Sequence, residues 1–516
     1  MLNLPYGLTK NCVFVKVNPD KAPLSSAKRA NSALMRNLGS YNYFVKTKLF
    51  RQLANHFFTL IFFTVLLASC NSTKNQEYDL AIYHINLVDG TGSPMKENVN
   101  IYVSDGKIIE ISSELLPGAT AKSEFDGTGK YLIPGLMEAH AHPSRIDVDT
   151  TARKSYNHQF KTMVHFGITS TILFGGGRGS YANMKELQES AENGNIISPR
   201  VFYSSPIVTT EGGHPYKTYP SSVWVDGETI YYLKDAGHAK KIVSEAKENG
   251  AIGIKLVVED GPTPPFVERM DSSLINSIVR EAHSASLPVY AHTSDIEEVR
   301  ICMKAGIDNL VHFLGTDIPD ETDEDLMNEM VKRGVSWITT LTLGKSLFFY
   351  RMHPEWLERP EIADVYDSSL VNALKSQVNF EASKGLLKEI TGNDTLTFAE
   401  FLLPVTADVK KAHDAGINIV LGTDVLGDDY VLAGFSLHEE MEIMQMGGIS
   451  PLQIIKMATY NGAKMLGIEK DYGSVEKGKF ADFVILMENP LSDITHTLSI
   501  EKVFKSGLEQ PRIQNE

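Results

Sequence analysis

From Tyr78 the chain reads as short alternating strands. YDLAIYHINLVDGTG, NVNIYVSDGKIIEIS and the run into YLIPGL are each punctuated by Gly, Asp or Pro. Asp105-Gly106, between two alternating runs, predicts a hairpin. After Pro143 the pattern changes to strand–helix alternation. Apolar runs at 136–142, 167–175, 200–208, 252–258, 287–293, 307–313, 335–341 and 417–424 have the length and character of buried strands. Amphipathic stretches such as HAKKIVSEAKENG and EEVRICMKAG intervene, and several end in glycine just before the next strand, as in KENGAIGIK, MKAGIDNL, VKRGVSW and HDAGINIV. Eight such strands predict an α/β fold, a closed (β/α)8 TIM barrel. A doubly wound open sheet is the runner-up, but the first strand–helix turn carries no GxGxxG.

The connection from Gly344 to Leu403 is long and has helical patterns of its own; it reads equally as a lid over the strand ends or as a peripheral decoration. The tail, YGSVEKGKFADFVILMENPLSDI and IEKVFKSGLEQ, returns to a β pattern and is expected to pair with strands 78–131. The expected domains are therefore a small β-sandwich from 78–135 plus 470–516, and a barrel at 136–469 with its insert at 344–403.

Upstream, KTKLFRQLANHFFTLIFFTVLLASC (46–70) has basic Lys46, Lys48 and Arg51 before an apolar run too short to span a bilayer comfortably, the pattern of a signal peptide. Leu67-Ala68-Ser69-Cys70 resembles a bacterial lipobox, which implies cleavage before Cys70, acylation of that cysteine and a membrane anchor, periplasmic or at the cell surface. Residues 70–77 then form a polar tether. Met35, followed by Arg36, is an alternative start.

Composition narrows the partners. The formal net charge is −15, and the first 69 residues are basic, so the remainder is more acidic still. Such a body repels nucleic-acid phosphates. Three cysteines, Cys12, Cys70 and Cys302, have neither zinc-ribbon nor redox spacing and argue against a disulfide framework. Homo-oligomerisation stays open.

The candidate chemistry sits at the strand ends. Residues i and i+2 of a strand share a face, so His140 and His142 in MEAHAH point the same way. Lys255 lies in the fourth strand (GIKLVVEDG), His292 ends the fifth (YAHTSD), His312 the sixth (LVHFLG) and Asp424 the eighth (LGTDVLG). In a parallel barrel these ends converge. Each residue alone has an ordinary explanation: a packed histidine, or a lysine paired with Glu259. As a set, imidazoles and a carboxylate suit Zn²⁺ and related ions, which make water a nucleophile near neutral pH. Asp424 could take the proton of that water and pass it to a leaving group. Lys255 cannot ligate as an ammonium, but it can if CO₂ carboxylates it into a carbamate.

PGLMEAHAH, the strand-four lysine, the two later histidines, GTD and the closing pattern GSVEKGKFADFVIL resemble the amidohydrolase superfamily from about residue 78 onward. The resemblance implies two divalent metal ions, with Zn²⁺ expected. His140, His142 and Asp424 would hold the buried ion, His292 and His312 the second, and a carboxylated Lys255 would bridge them. It also implies that Asp424 shuttles protons and that a metal-bridging hydroxide attacks an amide or peptide bond. Within the superfamily the chain is similar to the imidazolonepropionase-like and prolidase-like dipeptidase branch. EGGHPY (211–216) resembles that branch's Gly-Gly-His loop, implying that His214 contacts substrate. Tyr290, on the face of His292, either lines the pocket or fills the core. The bridging lysine argues against imidazolonepropionase activity itself. A dipeptidase is the preferred expectation, with cyclic amide, lactone or phosphoester hydrolysis as alternatives, and a non-catalytic surface binding protein as the reading from another class.

Overall fold

The computed structural model describes residues 76–142, 152–176, 179–218, 224–261, 266–313, 324–375, 377–425 and 431–513. The expected leader, Met35 and Cys70 lie outside the described residues. In chain order the first strands are β1 (Gln76–Leu87), β2 (Lys96–Ser104), β3 (Lys107–Ser112), β4 (Ala119–Asp126) and β5 (Tyr131–Pro134). Next come β6 (Leu136–Ala141), β7 (Ile168–Leu173), β8 (Arg200–Tyr203), β9 (Ile207–Thr209) and β10 (Ile230–Tyr232). They are followed by β11 (Ile254–Val257), β12 (Val289–His292), β13 (Asn309–Val311), β14 (Ser336–Ile338) and β15 (Asn418–Val420). The tail supplies β16 (Phe483–Leu486), β17 (Ile500–Lys505) and β18 (Leu508–Glu509).

The outer strands form one eight-stranded sheet in the order β18-β17-β16-β5-β1-β2-β3, with β4 paired to β1. Strands from both ends of the described chain therefore share a sheet: β16 runs antiparallel to β5, with Val484 opposite Ile133. Alternation puts Leu80, Ile82, Ile85 and Leu87 of β1 into a core with Val99, Ile101, Val103, Phe483 and Ile485. The β2–β3 hairpin turns at Asp105 and Gly106, with φ of 51° and 72°, which an Asp-Gly pair adopts readily.

The inner strands are parallel. β6-β7-β8 form one ladder and β11-β12-β13-β14-β15 belong to another. Backbone bonds join them. Ile252 N–H donates to Tyr203 O (2.8 Å) and Ser205 N–H to Gly253 O (2.9 Å), while Ala139 N–H donates to Leu421 O (3.2 Å) and Asp424 N–H to His140 O (2.9 Å). The circuit of eight strands thus returns on itself. All six residues of β6 and of β7 are buried, as in strands covered on both faces, including the polar Glu138, His140, Thr169, Ser170 and Thr171. The run at 200–208 is split into β8 and β9, because Pro206 between them has no N–H to give a ladder. Helices pack outside, and those ending at Ala305 and Ala415 are closed by Gly306 and Gly416 at φ 92° and 101°.

The segment after β14 is largely helical. Its Phe348 and Phe349 cluster with Leu387, and its Tyr350, Leu357 and Ile362 pack with Phe166, Leu432 and Phe435. Lys345 forms a 2.6 Å ion pair with Glu439 on the helix Phe435–Met446. Among the described residues no helix is long and apolar enough to cross a membrane.

Candidate active site

The C-terminal ends of the inner strands bring two clusters of donor atoms together. In the first, His140 Nε2 and His142 Nε2 are 3.0 Å apart. Asp424 Oδ1 lies 3.3 Å from the former and 3.0 Å from the latter. A carboxylate beneath them fixes the frame. Glu138 is fully buried and accepts His140 N–H (2.9 Å), Thr423 N–H (2.9 Å) and the Thr423 hydroxyl (2.8 Å). It thereby ties the end of β6 to the segment after β15. His142 Nδ1 donates to Gly175 O at 2.7 Å, which turns its Nε2 toward the cluster as the ligating nitrogen.

Around the second, the His312 ring lies 4.8 Å from His140 and 4.2 Å from His292 between centroids, and His214 is 5.2 Å from His292. His312 Nδ1 meets the Thr340 hydroxyl at 2.8 Å, and Trp337 Nε1–H donates to His312 O at 2.7 Å. His292 Nε2 is hydrogen-bonded to Glu259, and one donor atom each of His214, Glu259 and His292 lies within 4.8 Å of the others. His214 Nδ1 is 2.7 Å from the Thr218 hydroxyl. Lys255 is 1% exposed; its Nζ sits 4.6 Å above the Phe174 ring with no hydrogen-bond partner.

Electrostatics suit metal binding. Burial holds the His140 and His312 imidazoles well below their usual range, reinforced in both by the Lys255 ammonium and neighbouring rings. Burial, then the Lys255 charge, brings His292 down to about 3. Burial also brings His214 to about 4 and the Lys255 ammonium to about 7, the latter against the opposing pull of Asp424 and Glu259. Neutral imidazoles are the ligating form, and a neutral amine is the form that adds CO₂. The donor geometry fits an ion as well. Asp424 Oδ1, His312 Nε2 and Lys255 Nζ are buried without a hydrogen-bond partner. The 3.0–3.3 Å separations in the first cluster match the edge of a tetrahedron with metal–ligand bonds of about 2.0–2.1 Å, roughly 3.3 Å. His312 and Asp424 also hold left-handed backbone conformations, φ 72° and 59°, which for non-glycine residues is strain of the kind found at functional sites.

The structure therefore places His140, His142 and Asp424 in one cluster, His312 and Lys255 beside it, and His292 with His214 in the next. Tyr290 lies one layer lower on β12, fully buried, its ring 5.2 Å from Phe174 among Ala139, Ile172, Val311 and Ile338. That is barrel filling. The Lys255–Glu259 ion pair offered as an ordinary explanation of the lysine is not formed; Glu259 turns to His292. Sequence reasoning missed Glu138, Glu259, Thr340 and Thr423. For Glu138 a signal existed: an acid in the middle of the apolar LMEAHA run.

The amidohydrolase family profile matches residues 131–509, from β5 through β18, and includes every residue of both clusters. Ochratoxinase of Aspergillus niger is 24% identical over 469 residues, covering 82% of this chain and 86% of its own length. Imidazolonepropionase of Thermoplasma volcanium is 20% identical over 445 residues, covering 80% and 90%. A solved structure of a Xaa-Pro dipeptidase with methionine bound in its active site shares the fold with a TM-score of 0.61 at 21% identity, covering 83% of this chain and 99% of that one.

Proposed function

The chain belongs to the amidohydrolase family, and we propose that it is a binuclear metal-dependent hydrolase whose substrate is a small molecule or dipeptide, most simply a dipeptide, built on a (β/α)8 barrel flanked by a small β domain whose strands form one sheet rather than the two of a sandwich. The observation that carries this reading is the convergence of His140, His142 and Asp424 through atoms 3.0–3.3 Å apart, with Asp424 Oδ1 left without a hydrogen-bond partner. Such an arrangement is costly unless a cation completes it.

In this reading His140, His142 and Asp424 hold one ion and His292 and His312 the other, with Zn²⁺ expected from the donor set. Lys255 would contribute as a carbamate: its neutral amine would add CO₂ and release a proton, becoming an anion able to ligate. Divalent ions bound by these residues supply Lewis acidity, polarising a carbonyl and making water a nucleophile at neutral pH. Asp424 takes the proton of the attacking water and returns it to the departing amine nitrogen. His214, held by Thr218, contacts the substrate carbonyl or carboxylate. The Xaa-Pro dipeptidase likeness favours a dipeptide. Acylated Cys70 would place the enzyme at a membrane surface, where scavenged peptides are available.

A screen of dipeptides and lactones, with and without added Zn²⁺ and after chelation, tests the proposal. Chelator-sensitive release of amino acids is the expected result. Absence of hydrolysis of any substrate by the metal-loaded protein would refute it, and lactone turnover without peptide turnover would move the substrate to the alternative class.

A further inference from the structure

We propose that Glu259 is a positioning residue for His292: its carboxylate receives the Nε2–H and thereby makes Nδ1 the nitrogen that the ring offers to an ion. The inference rests on the binuclear reading above and goes beyond it by assigning a function to a residue outside the ligand set.

Glu259 lies two residues past β11 and is 4% exposed. Among the described residues its side chain makes one hydrogen bond, to His292 Nε2. The nearby guanidinium is engaged elsewhere, since Arg269 pairs with Asp260 (2.9 Å), Asp295 (3.4 Å) and Glu298 (3.1 Å). Lys255 Nζ makes no hydrogen bond. Glu259 is thus a buried carboxylate whose one hydrogen-bonding partner is an imidazole in the proposed metal site.

The chemistry of that contact has one direction. In the ionised form that the proposal assigns to Glu259, the carboxylate accepts and cannot donate, so the proton between the two groups belongs to His292 Nε2. A neutral imidazole has a single N–H. Fixing it at Nε2 leaves the lone pair at Nδ1, and the negative charge behind the ring raises its basicity as a ligand. A carboxylate behind a ligating histidine fixes tautomer and orientation, and its loss typically weakens metal binding by about 10–100-fold. The pattern parallels His142, whose Nδ1–H is fixed by Gly175 O. There a backbone carbonyl sets the opposite tautomer and leaves Nε2 for the first ion. Each cluster therefore has its own device for choosing which nitrogen ligates.

The test compares wild type with Glu259→Gln, which keeps the shape but lets the amide either donate or accept. Long-range ¹H–¹⁵N spectra of histidine-labelled, metal-free protein read the tautomers, with His292 assigned by its disappearance in His292→Gln. Wild type should show His292 protonated at Nε2, and Glu259→Gln should shift it toward a mixture. Competition titrations with a chromophoric chelator and Zn²⁺ should show the first ion unaffected and the second bound about 10–100-fold more weakly. Unchanged tautomer and unchanged affinity for both ions would overturn the proposal. So would three ions per wild-type chain and two in the variant, because Glu259 would then be a ligand of its own site with His214. If wild type binds fewer than two ions, the binuclear reading fails, while the metal-free spectra still decide the Glu259–His292 bond.

Discussion

At the scale of residues, the site depends on side chains whose burial makes sense only together. Lys255 is the clearest case. A lysine is almost never buried unpaired, yet this one has no hydrogen-bond partner and an ammonium drawn down to about 7 by desolvation. Carboxylation, as proposed, would resolve that conflict. Lys255→Ala should therefore fold and retain the ion held by His140, His142 and Asp424 but lose the other, so that metal analysis falls from two ions per chain to one. Two ions retained in the variant would exclude the bridging carbamate. The proposed ligands were legible in the sequence as candidates, because each is a polar residue inside or just past an apolar strand. Glu259 was not. Its neighbours in LVVEDG predict a loop acid, and only the fold reveals that it faces His292 rather than Lys255.

At the scale of elements, the helix Phe435–Met446 governs the turn that follows β14. Fully buried Glu440 accepts Leu341 N–H (3.0 Å) and Thr342 N–H (2.7 Å). Thr340, directly before Leu341, meets His312 Nδ1 through its hydroxyl. Glu440→Ala leaves these buried N–H groups unpaired and should destabilise the protein by about 2–4 kcal/mol, with a parallel loss of affinity for the ion assigned to His312. A thermal-shift assay and a metal titration check both; an unchanged melting temperature would contradict the role given to Glu440. The eight inner strands were legible from their apolar runs and glycine stops. The helix carrying Glu440 was harder: its charged HEEMEI text reads as a solvated face, whereas His438, Glu439 and Glu440 are all buried against the insert and the tail. Long-range partners, absent from any local pattern, decide such positions.

At the scale of the whole molecule, the tail is tied to the inner strands and their helices by buried polar contacts. His438 Nε2 donates to Phe166 O (2.9 Å) and its Nδ1 meets the Thr497 hydroxyl (2.8 Å). Desolvation brings its imidazole to about 4 from an ordinary 6.5. Because the fold disfavours the charged ring, stability present above about pH 6.5 is lost as pH falls toward 4. This one group should account for about 2 kcal/mol between pH 7 and 4.5. Urea denaturation at the two pH values should show a smaller acid-induced loss in His438→Gln than in wild type; equal losses would contradict the assignment.

The proposal joins the scales: residues on or just past five of the inner strands, β6, β11, β12, β13 and β15, form one site that would hydrolyse an amide only when two ions are bound. The most direct measurement is dipeptide hydrolysis by metal-free protein titrated with Zn²⁺. The account predicts activity that rises and reaches a plateau at two equivalents per chain. Hydrolysis that is undiminished in the metal-free protein, or absent at every equivalent, would contradict it.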